Sequence, residues 1–86
     1  MYHIYLGGRV IGVNFRVFVR DCADHLGICG FVRNVGADTV EIEAEGTIQS
    51  LNMFLGYIKQ GSEYAEVYDV IVKKEKNKDY KDFTIK

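Results

Sequence analysis

Apolar residues recur at two different periods along this 86-residue chain, and the changes of period mark out its elements. Tyr2 to Val10 is dense in Tyr, Ile, Leu and Val and predicts a first strand. From Asn14 or Phe15 the period lengthens. Phe15, Val19, Cys22 and Leu26 fall on one face of a helix, Arg16, Arg20 and Asp24 take the other side, and Gly27 suits the helix end. Ile28 to Val35 predicts a second strand, followed by a Gly36-Ala37-Asp38 turn. Val40, Ile42 and Ala44 then alternate with Glu41, Glu43 and Glu45, which predicts a third strand with one face on the core and an acidic face in water. Thr47 is the expected N-cap of a second helix whose apolar positions are Ile48, Leu51, Phe54, Leu55 and Ile58, with Gly61 at its end. Val67 to Val72 predicts a fourth strand and Phe83 to Ile85 a short fifth.

The order is βαββαβ with a short terminal strand. Elements of this number pack as two layers, so the predicted fold class is α+β: a ferredoxin-like sandwich, an antiparallel sheet with two helices on one face. The first and second strands are parallel, joined by a right-handed crossover through the first helix, and the third lies between them. The loop after the first strand and the end of the second strand therefore share one edge of the sheet, about 10 Å apart.

Composition narrows the function classes. A chain of this length forms one domain, residues 1–86, and 48% hydrophobic residues suffice for its core. A net charge of −1 lacks the basic footprint of a nucleic-acid binder. An RNA-binding βαββαβ domain needs aromatics on its central strands beside Lys or Arg; Tyr2 and Tyr5 imitate that, but Glu41, Glu43 and Glu45 hold the third strand. No apolar run is long enough to cross a bilayer and no signal-peptide pattern opens the chain, so a cytoplasmic location without membrane association is expected. Cys22 and Cys29 form no CxxC pair and read as core thiols rather than metal ligands. The lysines between Lys73 and Lys81 alternate with acids and read as a solvated strand end and hairpin.

The shared sheet edge carries the candidate chemistry. It gathers Gly8, Gly12 and Asn14 in one loop, Arg16 at the start of the first helix, and Arg33 and Asn34 at the end of the second strand. A glycine-containing turn that runs into a helix N-terminus aims several N–H groups at one point, where the helix dipole adds about half a positive charge. Such a nest binds anions, phosphate especially. The guanidinium of Arg16 can grip two phosphate oxygens at once. The stretch lacks the ending of a P-loop and the glycine spacing of a dinucleotide fold.

Two motifs together are more specific than either. GRVIGVNFR, Gly8 to Arg16, resembles the acylphosphatase signature G-[RK]-V-Q-G-V-x-[FY]-R. GFVRNVGADTVEIEAEG, Gly30 to Gly46, is similar to the second block of that family, and the resemblance extends over essentially the whole chain. It implies the fold already read from periodicity, and hydrolysis of a carboxyl-phosphate anhydride to carboxylate and inorganic phosphate. Arg16 would bind the phosphoryl group with the backbone of Ile11, Gly12, Val13, Asn14 and Phe15, and Asn34 would orient the attacking water. The resemblance implies no metal or organic cofactor and a small-molecule acyl phosphate as partner; a monomer is expected, with pairing between exposed edge strands of two chains as the alternative. Ile11 stands where the family usually has Gln, and Asn14 where Gly, Phe or another uncharged residue is more common. Those two departures leave a second reading open, a non-catalytic module that binds phosphate or acyl phosphate.

Overall fold

The computed structural model describes residues 1–12 and 14–86. The chain forms β1 (Tyr2–Arg9), α1 (Phe15–Leu26), β2 (Cys29–Asn34), β3 (Thr39–Glu45), α2 (Ile48–Gln60), β4 (Glu66–Lys74) and β5 (Phe83–Ile85). One sheet holds all five strands in the order β4-β1-β3-β2-β5. β3 is antiparallel to both β1 and β2, which makes those two parallel, as the crossover requires. β5 departs from the expected antiparallel sheet by pairing parallel to β2, with Phe83 beside Gly30 and Ile85 beside Val32. The chain reaches that edge because residues 75–82 turn back across the sheet face away from the helices.

The helices cover the other face. Phe15, Val19 and Ala23 of α1 and Leu51, Phe54 and Ile58 of α2 are buried against Ile4, Leu6, Val32, Val40, Ile42 and Ala44. The α1 stripe runs through Ala23, so Cys22 and Leu26 are only half-buried, and the two cysteines are free thiols. Ile48 opens α2 and is exposed, off the buried stripe of Leu51, Phe54 and Ile58. The Thr47 hydroxyl accepts the N–H of Ser50 at 3.1 Å, and Gly27 ends α1 at φ 69°.

Two glycines are required by close approach. At Gly8, φ is 145° and an added Cβ would lie 2.2 Å from the Glu66 carbonyl oxygen, where the pairing of β1 with β4 shifts register. At Gly30, φ is 147° and a Cβ would lie 1.8 Å from the Glu43 carbonyl oxygen. Gly8 therefore belongs to a bulge within β1 and not to the loop that follows, where the sequence motif had suggested it.

The acidic stripe of β3 is not a wet face. Glu41, Glu43 and Glu45 are only 6%, 4% and 8% exposed. Each carboxylate is answered by donors, as buried charge demands. Glu41 accepts from His3 Nε2 at 2.6 Å, from the Tyr5 hydroxyl at 3.0 Å and from Arg33 Nε. Glu43 accepts from the Tyr80 hydroxyl at 2.6 Å and from Lys78 Nζ at 3.1 Å. Glu45 accepts the main-chain N–H groups of Lys78, Asp79 and Tyr80. The lysine-rich stretch is thus a strap over the sheet, and Tyr80 meets the edge of the Phe31 ring at 6.1 Å. Tyr5 is tied to a carboxylate, an arrangement unlike an RNA-stacking platform.

His3 sits at the centre of this network, with Nδ1 2.9 Å from Glu75 and Nε2 2.6 Å from Glu41. Burial disfavours the imidazolium, but the hydrogen bonds to Glu75 and Glu41 and the nearby Glu43 charge outweigh it, so its pKa is raised above 6.5. Burial likewise pushes Glu41 and Glu43 up, but their donors prevail and both lie below 4.5. Stability from His3 is therefore complete below the unfolded value of 6.5 and is lost as pH rises through the raised folded value. Stability from the glutamates is present above 4.5 and is lost as pH falls through their lowered values. Urea midpoints should fall on the alkaline side of that window, and His3→Gln should flatten the fall; an unchanged slope in the variant would assign it elsewhere.

Candidate active site

The segment after β1 is held by apolar anchors at both ends. Val10 and Phe15 are buried, Ile11 is half-buried against the core, and Gly12 and Asn14 are exposed. Gly12 has φ 75°, and Asn14 has φ 58° and ψ 26°. Two left-handed residues bend the chain sharply into α1. Asn tolerates this conformation better than other residues with a Cβ. The Asn14 carbonyl accepts the N–H of Phe18 at 3.1 Å and starts the helix, but its side chain makes no capping hydrogen bond. The first turn of α1 contains no acidic residue, so the positive end of the helix is not offset there.

A concavity of about 170 Å³ opens at this helix end. Its described lining divides by chemistry into a polar wall, Gly12, Asn14 and Arg16, and an apolar one, Val17 and Ile85, with the buried Val10 and Phe15. Arg16 donates from Nη1 to the main-chain oxygen of Lys86 at 3.4 Å, a long contact that orients the guanidinium and leaves donors free.

Of the residues singled out by sequence, Gly12, Asn14, Phe15 and Arg16 line this concavity. Ile11 turns its side chain toward the core. Val13 lies outside the described residues. Asn34 lies at the same sheet edge: Leu6 on β1 and Asn34 on β2 both pair with Val40 on β3, which puts them level and about 10 Å apart. Alternation from the buried Val32 places Asn34 on the helix side of the sheet. The same alternation sends Arg33 to the opposite face, where it bonds Glu41; the sequence had placed it with the site, and Glu41 removes it. Val17 and Ile85 were missed. Val17 is an exposed valine off the buried stripe of α1, a signal visible in the sequence, whereas Ile85 arrives only through the parallel pairing of β5.

His3, Glu41 and Glu43 bring their ligand atoms within 4.8 Å of one another, a spacing that suits a metal ion. Their lone pairs are already engaged by Tyr5, Arg33, Lys78 and Tyr80, which supply the compensating charge themselves.

A sequence model of the acylphosphatase family matches residues 2–85. The chain belongs to the acylphosphatase family. It is 47% identical to an acylphosphatase of Bacillus licheniformis over 78 residues, 91% of this chain and 87% of that one. The crystal structure of acylphosphatase from Bacillus subtilis superposes with a TM-score of 0.93 at 38% identity, covering 98% of this chain and 94% of the other. An acylphosphatase from Coxiella burnetii superposes with a TM-score of 0.95 at 32% identity, covering 99% and 90%. Five of the described lining residues, Val10, Gly12, Asn14, Phe15 and Arg16, belong to the acylphosphatase signature, and Asn34, which is not among the lining residues, belongs to the second block.

The left-handed geometry of Asn14 makes a stability test possible. Asn14→Gly should stay within about 0.5 kcal/mol of the parent, since glycine accepts this backbone and no side-chain cap is lost. Asn14→Ala should lose about 1–2 kcal/mol in denaturant titrations. Equal losses in both variants would shift the requirement from the backbone to the amide side chain.

Proposed function

We propose that this chain hydrolyses acyl phosphates to a carboxylate and inorganic phosphate. In that reaction a water oxygen bonds to phosphorus as the bond from phosphorus to the acyl oxygen breaks, and the electron pair leaves on the carboxylate. The phosphoryl group is cradled by main-chain amides between Ile11 and Phe15 and by the Arg16 guanidinium. Asn34 holds the water. What carries the reading is the juxtaposition of Arg16 with the left-handed Gly12 and Asn14 turn at an N-terminus free of acids, in a chain of the acylphosphatase family.

The chemistry suits these residue types. Carboxylate is a good leaving group, so a strong base is not needed and the substrate's own phosphoryl oxygen can take the water proton. Charge spreads over the phosphoryl oxygens, and preorganised donors stabilise it best. Asn has an acceptor and a donor at every working pH, so it positions water without deprotonating it. The reading takes the chain as a monomer acting on a small-molecule acyl phosphate. A cytoplasmic setting accords with the free thiols Cys22 and Cys29. No helix among the described residues is long and apolar enough to cross a membrane.

Phosphate release from acetyl or benzoyl phosphate tests the proposal. Arg16→Ala should reduce kcat/KM about 10²- to 10³-fold, as removal of one oriented donor does elsewhere. Asn34→Ala should reduce kcat while inhibition by inorganic phosphate stays at the parent level. A parent protein that binds phosphate without turnover would instead support the binding-module reading. The pH profile of kcat/KM should be broad and flat over the range in which histidine titrates; a bell centred there would bring in a base that this site does not contain.

A further inference from the structure

We propose that Val17 and Ile85 receive the acyl group of the substrate and bias the site toward uncharged, apolar acyl phosphates over the smallest ones. The inference rests on the acyl-phosphate reading and adds a substrate class to it. The concavity has two unlike walls. Gly12, Asn14 and Arg16 present backbone and polar groups, while Val17 and Ile85 present hydrocarbon. A phosphoryl group uses the first wall and has no surface to place on the second. An acyl phosphate has one end for each.

The fold itself does not require Val17 at its position. It lies one residue beyond Arg16, off the buried stripe of Phe15, Val19 and Ala23, and remains 39% exposed. A β-branched residue is also a mediocre choice for an exposed helical position. Ile85 faces the helix side from β5, two residues after the buried Phe83 and beside Val32. The Lys86 ammonium points away from this wall, 4.0 Å from the centre of the Phe31 ring on the opposite face of the sheet. Arg16 is the one charged residue in the described lining of the concavity, and the proposed reaction uses it on the phosphoryl group. Val17 and Ile85 offer no ionic group to an acyl chain that carries its own charge, whereas a phenyl or alkyl group finds two branched side chains.

Steady-state kinetics on benzoyl phosphate and acetyl phosphate, with inorganic phosphate as competitive inhibitor, test this in the parent, Val17→Ser and Val17→Leu. The parent should favour benzoyl over acetyl phosphate in kcat/KM by about tenfold. Val17→Ser should reduce that ratio about 3- to 10-fold, the loss expected for a partly exposed apolar contact. Its inhibition constant for inorganic phosphate should stay at the parent value, and its far-UV circular dichroism should show that the variant is folded. Val17→Leu should keep or raise the ratio. Ratios that agree in all three proteins, or an equal fall on both substrates in Val17→Ser, would overturn the acyl-wall assignment while leaving acyl phosphate hydrolysis intact. A parent inactive on both substrates would overturn the hydrolytic reading itself.

Discussion

Three carboxylates on the central strand are out of water, and each must be answered by a donor. That requirement organises much of the molecule. β3 is buried on both faces, by Val40, Ile42 and Ala44 under the helices and by Glu41, Glu43 and Glu45 on the other side. An unpaired buried charge costs several kcal/mol, more than a small domain can spare. The donors come from three places: His3 and Tyr5 on β1, Arg33 on β2, and the strap with Lys78 and Tyr80. The three consecutive N–H groups that converge on Glu45 fix the path of that strap. Its path in turn delivers β5 to the far edge of β2, running parallel to it. Ile85 and the Lys86 main chain thereby reach α1, so the far face of the sheet sets one wall of the concavity and one contact of Arg16.

The same network sorts the cations. Arg33 is adjacent to Asn34 in sequence, yet the pleat puts the two on opposite faces, and Glu41 holds Arg33 where it is. Arg20 pairs with Asp21 at 3.4 Å. Arg16 has a main-chain oxygen as its contact and, among the described residues, no side-chain carboxylate within ion-pair distance. The main-chain contact limits the rotamers of Arg16 and leaves its field directed at the loop.

Much of this was legible in the sequence, and the failures share a cause. The switch from a two-residue to a 3.6-residue period located α1 and α2, and Thr47 and Gly27 marked helix ends from side-chain chemistry alone. The place of β3 between the parallel β1 and β2 was legible from the βαββαβ order, whereas the places of β4 and β5 were not read. Loop residues Gly12, Asn14 and Arg16 were legible because a glycine-bearing turn into a helix is a local pattern. The acidic stripe misled because alternation shows which face a residue is on, not what covers that face. A strap more than thirty residues away supplied the cover, and its lysines looked like ordinary solvated charge. Arg33 was assigned to the site by proximity in sequence, which the pleat overrides. Gly8 looked like a loop hinge because its requirement, the Glu66 carbonyl on a neighbouring strand, is invisible without register.

The departures from the family signature can now be weighed by position. Ile11 replaces a polar residue, but its side chain packs against the core, so the exchange trades a polar group at the rim for an apolar anchor and does not remove a main-chain donor. Asn14 occupies a left-handed site that it tolerates, and its side chain is not spent on capping the helix. The backbone bend is therefore kept, and an amide is left beside Arg16 on the polar wall. Both substitutions leave the charged and main-chain parts of the site as they are. Their effect falls on the anchoring and polarity of the loop, which bears on how firmly the phosphoryl group is held more than on which group attacks it.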